Sequence, residues 1–310
     1  MISKLWDKGG VMLIFAILLL GAGLLVPNFT SSINIKGLLL SVTTVGMISC
    51  TMLFCLAGGD FDLSVGSTVA VAGVIVAIFI RDFDSLSLGI AAALGSGAVI
   101  GFANGFVIAK IGINALITTL ATMQIVRGAA LLFSKGSSIG VSDPGFLQIG
   151  LASPLGIQSP IWMMFGMFLI FGILLNKTTF GRNTLAIGGN QEAAKLAGVN
   201  VVRTKIIVFM LQGLVAAFAG VVLASRISSG QPTTAEGLEL QVISACVLGG
   251  VSLTGGIGTI SGTIFGVLIM GIVQNAMNLK NIEPFWQLVV SGSILLVAVM
   301  VDRLRVQASR

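Results

Sequence analysis

Two carboxylates in an otherwise apolar stretch, Asp60 and Asp62, are the groups of this chain best placed to do chemistry. They stand in Gly58-Gly59-Asp60-Phe61-Asp62-Leu63-Ser64, wedged between two long apolar runs. An ionised side chain at mid-bilayer costs at least about 2.5–3.5 kcal/mol, so such residues mark function or firm pairing. Two readings are open. Asp62 or Ser64 caps the helix that follows. Alternatively, Gly58 and Gly59 break a span, and the carboxylates and backbone groups face a water-filled path. Carboxylates accept hydrogen bonds from hydroxyls, which suits a sugar. Asn104, Asn114, Thr118, Thr119, Gln124 and Arg127 add donors and acceptors nearby, although Asn114, Thr118 and Gln124 do not share one helical face. Arg127, about 20 Å along its span, can snorkel outward. Further along, Gln212, Gln241, Gln274, Asn275 and Gln287 are the corresponding polar residues. For each, hydrogen bonding between helices competes with substrate contact.

Other chemistries are missing. The chain has no His and no Tyr, and its three Cys (Cys50, Cys55, Cys246) lie in apolar stretches without metal-ligand spacing. We expect no catalytic residue and no metal site. No Gly-x-x-x-x-Gly-Lys-Ser/Thr string occurs, so nucleotide hydrolysis is not expected on this chain. Lys and Arg number 17 and Asp and Glu 11, together 9% of 310 residues, against about 25% in a soluble domain. Hydrophobic residues make up 55% and mean hydropathy is +1.06. A soluble chain needs more charge to cover its surface. This composition excludes a cytosolic enzyme, a disordered segment and a disulfide-built secreted module, and leaves a protein whose solvent is mostly lipid.

A membrane helix needs about 20 mainly apolar residues. Ten segments are expected to span: 10–26, 37–58, 63–80, 86–109, 112–134, 160–176, 205–225, 238–251, 259–279 and 285–301, with a glycine-rich break at 249–258. With the N-terminus inside, eleven basic residues from Lys4 and Lys8 to Arg305 and Arg310 fall on the cytoplasmic side. Five (Lys36, Arg81, Lys135, Arg226, Lys280) fall outside, and both termini are then cytoplasmic. The net charge of +6 follows from that placement and does not call for nucleic acid.

The polar loop 177–205 is the largest inner feature. Asn190 suits an N-cap, Glu192 a first turn, Ala193 and Ala194 a helix body, and Gly198 a stop. The string predicts a short amphipathic helix on the inner surface, preceded by Gly188 and Gly189. Gly97, Gly101 and Gly105 form a small-residue stripe on the fourth span. Gly258, Gly262 and Gly266 repeat it on the ninth, at the offset that carries Asn114-Ala115 onto Asn275-Ala276. The copies stand five spans apart and so cross in opposite directions, the trace of an inverted repeat, with halves near 37–134 and 205–301.

Several strings carry a resemblance. Gly59-Asp60-Phe61-Asp62-Leu63-Ser64-Val65-Gly66-Ser67, Ile113-Asn114-Ala115-Leu116-Ile117-Thr118-Thr119, Gly188-Gly189-Asn190-Gln191-Glu192-Ala193-Ala194 and Val247-Leu248-Gly249-Gly250-Val251-Ser252-Leu253-Thr254-Gly255-Gly256 are similar to signatures of ribose-type ABC importer permeases. Asp60 stands where that family usually has a glycine and Phe61 where it has Ile; this variant resembles the family's L-arabinose branch. The resemblance implies an all-α, type II importer-like permease of about ten spans in one domain, 1–310, in the bacterial inner membrane. It implies a homodimer that imports a monosaccharide by alternating access, a periplasmic sugar-binding protein, and a separate ATP-binding subunit. ATP and Mg would reside on that subunit, with no cofactor here. Residues 188–198 would be the ATPase-coupling helix. Asp60, Asp62, Ser64, Asn104, Asn114, Thr118, Gln124, Gln241 and Asn275 are the expected path or gate residues.

Overall fold

The computed structural model describes residues 2–308. Arg310 lies outside them, as do the side chains of Lys4, Lys8 and Arg305. Each of the ten expected segments is helical. Seven helices are long and apolar enough to cross a membrane: α4 (Val65–Phe83), α5 (Leu86–Phe106) with its π-helical continuation Val107–Ile111, α6 (Ala115–Ser134), α8 (Ser159–Lys177), α11 (Val201–Arg226), α13 (Ile260–Leu279) and α14 (Pro284–Ala308). The second segment is a pair, α2 (Ser32–Ser41) and α3 (Thr43–Ala57), bent by 43°. The apolar part of α1 (Ile2–Leu25) and α12 (Leu238–Leu248) are shorter. By length alone, the described residues hold seven spans, or eight with the bent pair.

α3 forms the centre, and all fifteen of its residues are buried. It is apolar or small on every side, the pattern of a helix enclosed by others. α11 packs against α3, α4 and α5 and joins them into one core, whereas α14 leaves most of its surface exposed. The glycine stripes explain the close approach. A Cβ on Gly97 or Gly101 would overlap the carbonyls of Gly213 or Phe209 on α11, and one on Gly105 would come 2.7 Å from Ile206 Cα. On α13, Gly262 and Gly266 meet Gly249 and Ala245 at the end of α12; Gly258, expected on the same helix, lies in the loop two residues before it and faces Leu53 of α3. Both stripes are therefore sites of helix contact, against different neighbours. The Asn-Ala correspondence does not extend to structure. Asn114 caps α6, whereas Asn275 lies inside α13.

At one end of the bundle, β1 (Ile139–Gly140) pairs antiparallel with β2 (Ser229–Gly230). A helix not expected from sequence, α7 (Pro144–Leu151), is capped by Asp143. It is fastened through Ser225, which donates to Phe146 O (2.6 Å) and accepts from Gly150 N–H (2.8 Å). Arg127 reaches this end and donates to the carbonyls of Pro232 (2.6 Å) and Thr234 (2.8 Å). Its charge is thereby anchored on a loop.

The opposite end departs most from expectation. Residues 177–205 are mainly helical: α9 (Thr179–Gly189), α10 (Gln191–Leu196) and the start of α11. α9 had no expected counterpart. Thr178 caps it by accepting from Gly181 N–H at 3.3 Å, and Gly181, Thr184 and Ile187 form its buried face. Phe180 stacks on Phe54 of α3, ring centroids 5.9 Å apart, which draws this polar segment onto the core.

Candidate functional site

The α3–α4 link, 58–64, lies at the α9 end of the bundle, where four candidate residues converge. α3 ends at Ala57 because Gly58 closes its last turn and Gly59 takes φ +84°, a left-handed conformation that a side chain resists. The chain then runs without regular secondary structure to Ser64, the residue before α4. Asp62 Oδ1 accepts both the backbone N–H (2.9 Å) and the hydroxyl (2.6 Å) of Ser64. Asn104 Nδ2 on α5 donates to Ser64 Oγ at 3.0 Å, and Thr122 on α6 donates to Asn104 Oδ1 at 2.6 Å. Asp62, Ser64 and Asn104 are each 1% exposed. A continuous polar chain thus joins the link to α5 and α6. Ser64 makes no side-chain cap; its hydroxyl is the hub of this chain, while its carbonyl accepts from Ser67 and Thr68.

Asp60 faces the other way. Its Oδ2 lies 2.9 Å from Lys205 Nζ, in the second turn of α11, and both side chains are largely buried. A small cavity beside the pair is lined by Cys55, Gly58, Thr184, Ile187 and Thr204. Burial raises the Asp60 carboxyl above its ordinary value, with Lys205 opposing the shift. Burial also raises Asp62, to about 6, against the opposing bonds from Ser64. The link therefore carries one carboxylate with a cationic partner and one held by neutral donors.

α10 adjoins this link through α9. Asn190 Oδ1 accepts from Ala193 N–H at 3.0 Å, the expected N-cap, and Gly198 follows the helix with φ +85°. Ala194 is buried, whereas Glu192 and Ala193 are exposed. Leu196 is 88% exposed, an apolar knob on a polar surface. Gly188 ties this segment inward. A Cβ there would overlap the Ala57 carbonyl at the end of α3 and come 2.6 Å from Gly256 N. Gly256 N–H itself donates to Ala57 O at 2.8 Å.

The remaining candidates stand apart from this cluster. Asn114 accepts from Leu116 N–H as the α6 cap, and Thr118 and Thr119 donate to carbonyls four residues back. Gln124 is exposed on α6 and Gln241 half-buried on α12. Asn275, about 22 Å along α13 from Ile260, pairs with Asn34 of α2. Gln287 donates to Asn278 Oδ1 at 2.7 Å, and Gln274 is half-buried. Gln212 is fully buried, and among the described residues neither of its amide atoms has a partner. Lys205, Thr122 and Asn34 escaped sequence reading. Their partners are distant in the chain, and no local pattern marks them.

Comparison with known proteins adds a second line of support. Residues 34–299 match the family described as "Branched-chain amino acid transport system / permease component". The chain is 59% identical over 308 residues to the L-arabinose transport system permease protein of Escherichia coli (strain K12), covering 99% of this chain and 94% of that one. It is 53% identical to the L-arabinose ABC transporter permease protein of Azospirillum brasilense, covering 97% and 89% of the two chains. It is 43% identical to the ribose import permease protein of Bacillus subtilis (strain 168), covering 96% and 93%. No solved structure matches the chain.

Proposed function

Because the chain belongs to the branched-chain amino acid transport system permease family, we propose that it is the membrane permease of an ATP-binding cassette importer for L-arabinose. Full-length identity of 59% to an L-arabinose permease, against 43% to a ribose permease, carries the choice of sugar. The chain is a transport component rather than an enzyme. In this reading a separate subunit binds ATP and Mg and docks on α10, and a periplasmic binding protein delivers the sugar. Two permease copies form the conduit, in the inner membrane with both termini cytoplasmic. The exposed Glu192 and Leu196 of α10 supply the mixed charged and apolar surface such docking needs.

ATP-driven closure of the docked subunits would favour one packing of the permease over another by differential contact. The halves 37–134 and 205–301 would shift along the α5–α11 glycine contacts. Asp60–Lys205 pairs a residue of the first half with one of the second, beside the docking segment. It is our candidate for an inner gate, and Asp62, Ser64 and Asn104 set the frame that aims it.

The deciding experiment is uptake of labelled sugars into proteoliposomes holding the permease, its ATP-binding subunit and the binding protein. L-arabinose accumulation that requires ATP and both partners is the expected result. Preference for ribose or xylose reassigns the sugar. Uptake by the permease alone, abolished by an uncoupler, indicates an ion-driven transporter and overturns the reading.

A further inference from the structure

We propose that Gly188 is a positioning residue of the transport cycle, the contact through which displacement of α10 reaches the Asp60 link. The proposal rests on the reading of α10 as the ATPase docking helix. Gly188 lies three residues before α10, inside the last turn of α9. Its Cα side is closed by two backbone segments, the end of α3 and the α12–α13 loop. A methyl group there would overlap the Ala57 carbonyl oxygen and approach Gly256 N to 2.6 Å. Reciprocally, a methyl group on Gly255 would lie 2.7 Å from Gly188 O, and one on Gly256 would lie 2.9 Å from Gly189 Cα. Gly256 N–H donates to Ala57 O at 2.8 Å, which locks the α12–α13 loop to the end of α3.

Three segments therefore meet backbone to backbone, with no side chain between them to deform. Side chains change rotamer and absorb small displacements, whereas close-packed backbone transmits them. Three residues beyond Ala57 is Asp60, bonded to Lys205 on α11. A push on α10 thus has a stiff route: α9, Gly188, the end of α3 and the α12–α13 loop together, then the ion pair. Gly166, inside α8, differs. A methyl group there meets nothing within 4 Å, and its φ is not left-handed.

The test compares Gly188→Ala with Gly166→Ala in the complete importer. We measure copurification of the ATP-binding subunit, ATP hydrolysis and labelled L-arabinose uptake. For Gly188→Ala the subunit stays bound and hydrolysis continues, while sugar carried per ATP falls by about tenfold, within the range of lost site-to-site coupling. Gly166→Ala transports as wild type. Wild-type sugar per ATP in Gly188→Ala overturns the proposal, and so does equal loss in Gly166→Ala. If Gly188→Ala fails to assemble, amide exchange of wild-type segment 252–258 decides, read with and without a trapped ATP analogue. A contact that transmits as a unit keeps the Gly256 amide protected in both states; loss of protection in either overturns it. Failure of the docking reading is distinguishable, because Glu192→Arg would then leave coupled uptake intact.

Discussion

Asn34 and Asn275 face each other in a reciprocal amide pair, each side-chain N–H donating to the other's carbonyl oxygen at 2.9 Å. The pair joins α2 to α13 across 241 residues of chain. Asn34 donates a further bond to Phe29 O. Both amides are thus committed to packing, and Asn275 has no free donor pair to offer a sugar. Asn275→Ala is expected to lower thermal stability by about 1 kcal/mol, near the upper values measured for hydrogen bonds between membrane helices. Asn34→Ala in that background costs only the bond to Phe29 O, since the shared bonds are already gone. Uptake per folded molecule stays near wild type. A large drop in uptake with unchanged melting would restore Asn275 to the path.

The ion pair Lys205–Asp60 invites a charge-swap test. Lys205→Ala leaves a largely buried carboxylate without its partner, at about 3 kcal/mol. Lys205→Asp alone places two acids together and is worse. Asp60→Lys combined with Lys205→Asp restores the attraction and is expected to recover stability in detergent melts. Acting as the proposed gate, the pair would also limit passive leak. The single variants are expected to admit labelled sugar without ATP, and the swap to close that route again. Single variants that lose stability but do not leak leave the pair a structural tie.

Asp62 makes stability depend on pH. Its folded value of about 6 stands above the ordinary 3.8, so burial disfavours the charged form. The associated stabilisation is full below about pH 4 and is lost as pH rises through 6. Asn at this position keeps an oxygen to accept both Ser64 bonds, since both go to Oδ1. Asp62→Asn is therefore expected to fold, to transport, and to melt with a flatter dependence between pH 4.5 and 7.5. Strongly reduced uptake, with melting intact, would instead give the carboxylate a role in the path.

Ser64→Ala probes the same chain from its centre. It removes the acceptor of Asn104 Nδ2 and one donor to Asp62, leaving buried polar groups unpaired. A loss of about 1–3 kcal/mol is expected from that desolvation, measured as a lower melting midpoint. Removing Thr122 Oγ by Thr122→Val acts on the next bond, and the two losses should be less than additive because they share Asn104.

What was legible in the sequence was local or compositional. The ten helical segments follow from hydropathy, and the Asn190 cap from a side chain that reaches only three residues on. The 249–258 break follows from its glycines. α9 was hidden because its buried face includes Gly181 and Thr184, which carry little apolar signal, and its anchoring on Phe54 is a tertiary contact. The fate of Asp60 was hidden for the same reason. Composition showed that the carboxylate needed a partner, but nothing local pointed to Lys205. Arg127 was read as a snorkelling cation, and its targets are backbone carbonyls, which every residue possesses.

The exposed face of α10 yields the last prediction. Six residues make a helix too short to be stable alone, yet Asn190 caps it and the buried Ala194 seats it. That leaves Glu192 and Leu196 on its outer surface without a structural task. A leucine 88% exposed to water is a poor choice for a solvated connector, and a good one for a pocket on a partner. Glu192→Arg and Leu196→Asp are both expected to leave membrane insertion and melting unchanged. Each is expected to abolish ATP-dependent sugar uptake and to weaken copurification of the ATP-binding subunit at least about tenfold, the size of a hot-spot loss. A reversed charge acts by repulsion and is relieved by high salt, whereas a lost apolar anchor is not. Salt rescue of Glu192→Arg binding, without rescue of Leu196→Asp, would separate the two contributions. Normal coupled uptake by both variants would remove α10 from the docking surface.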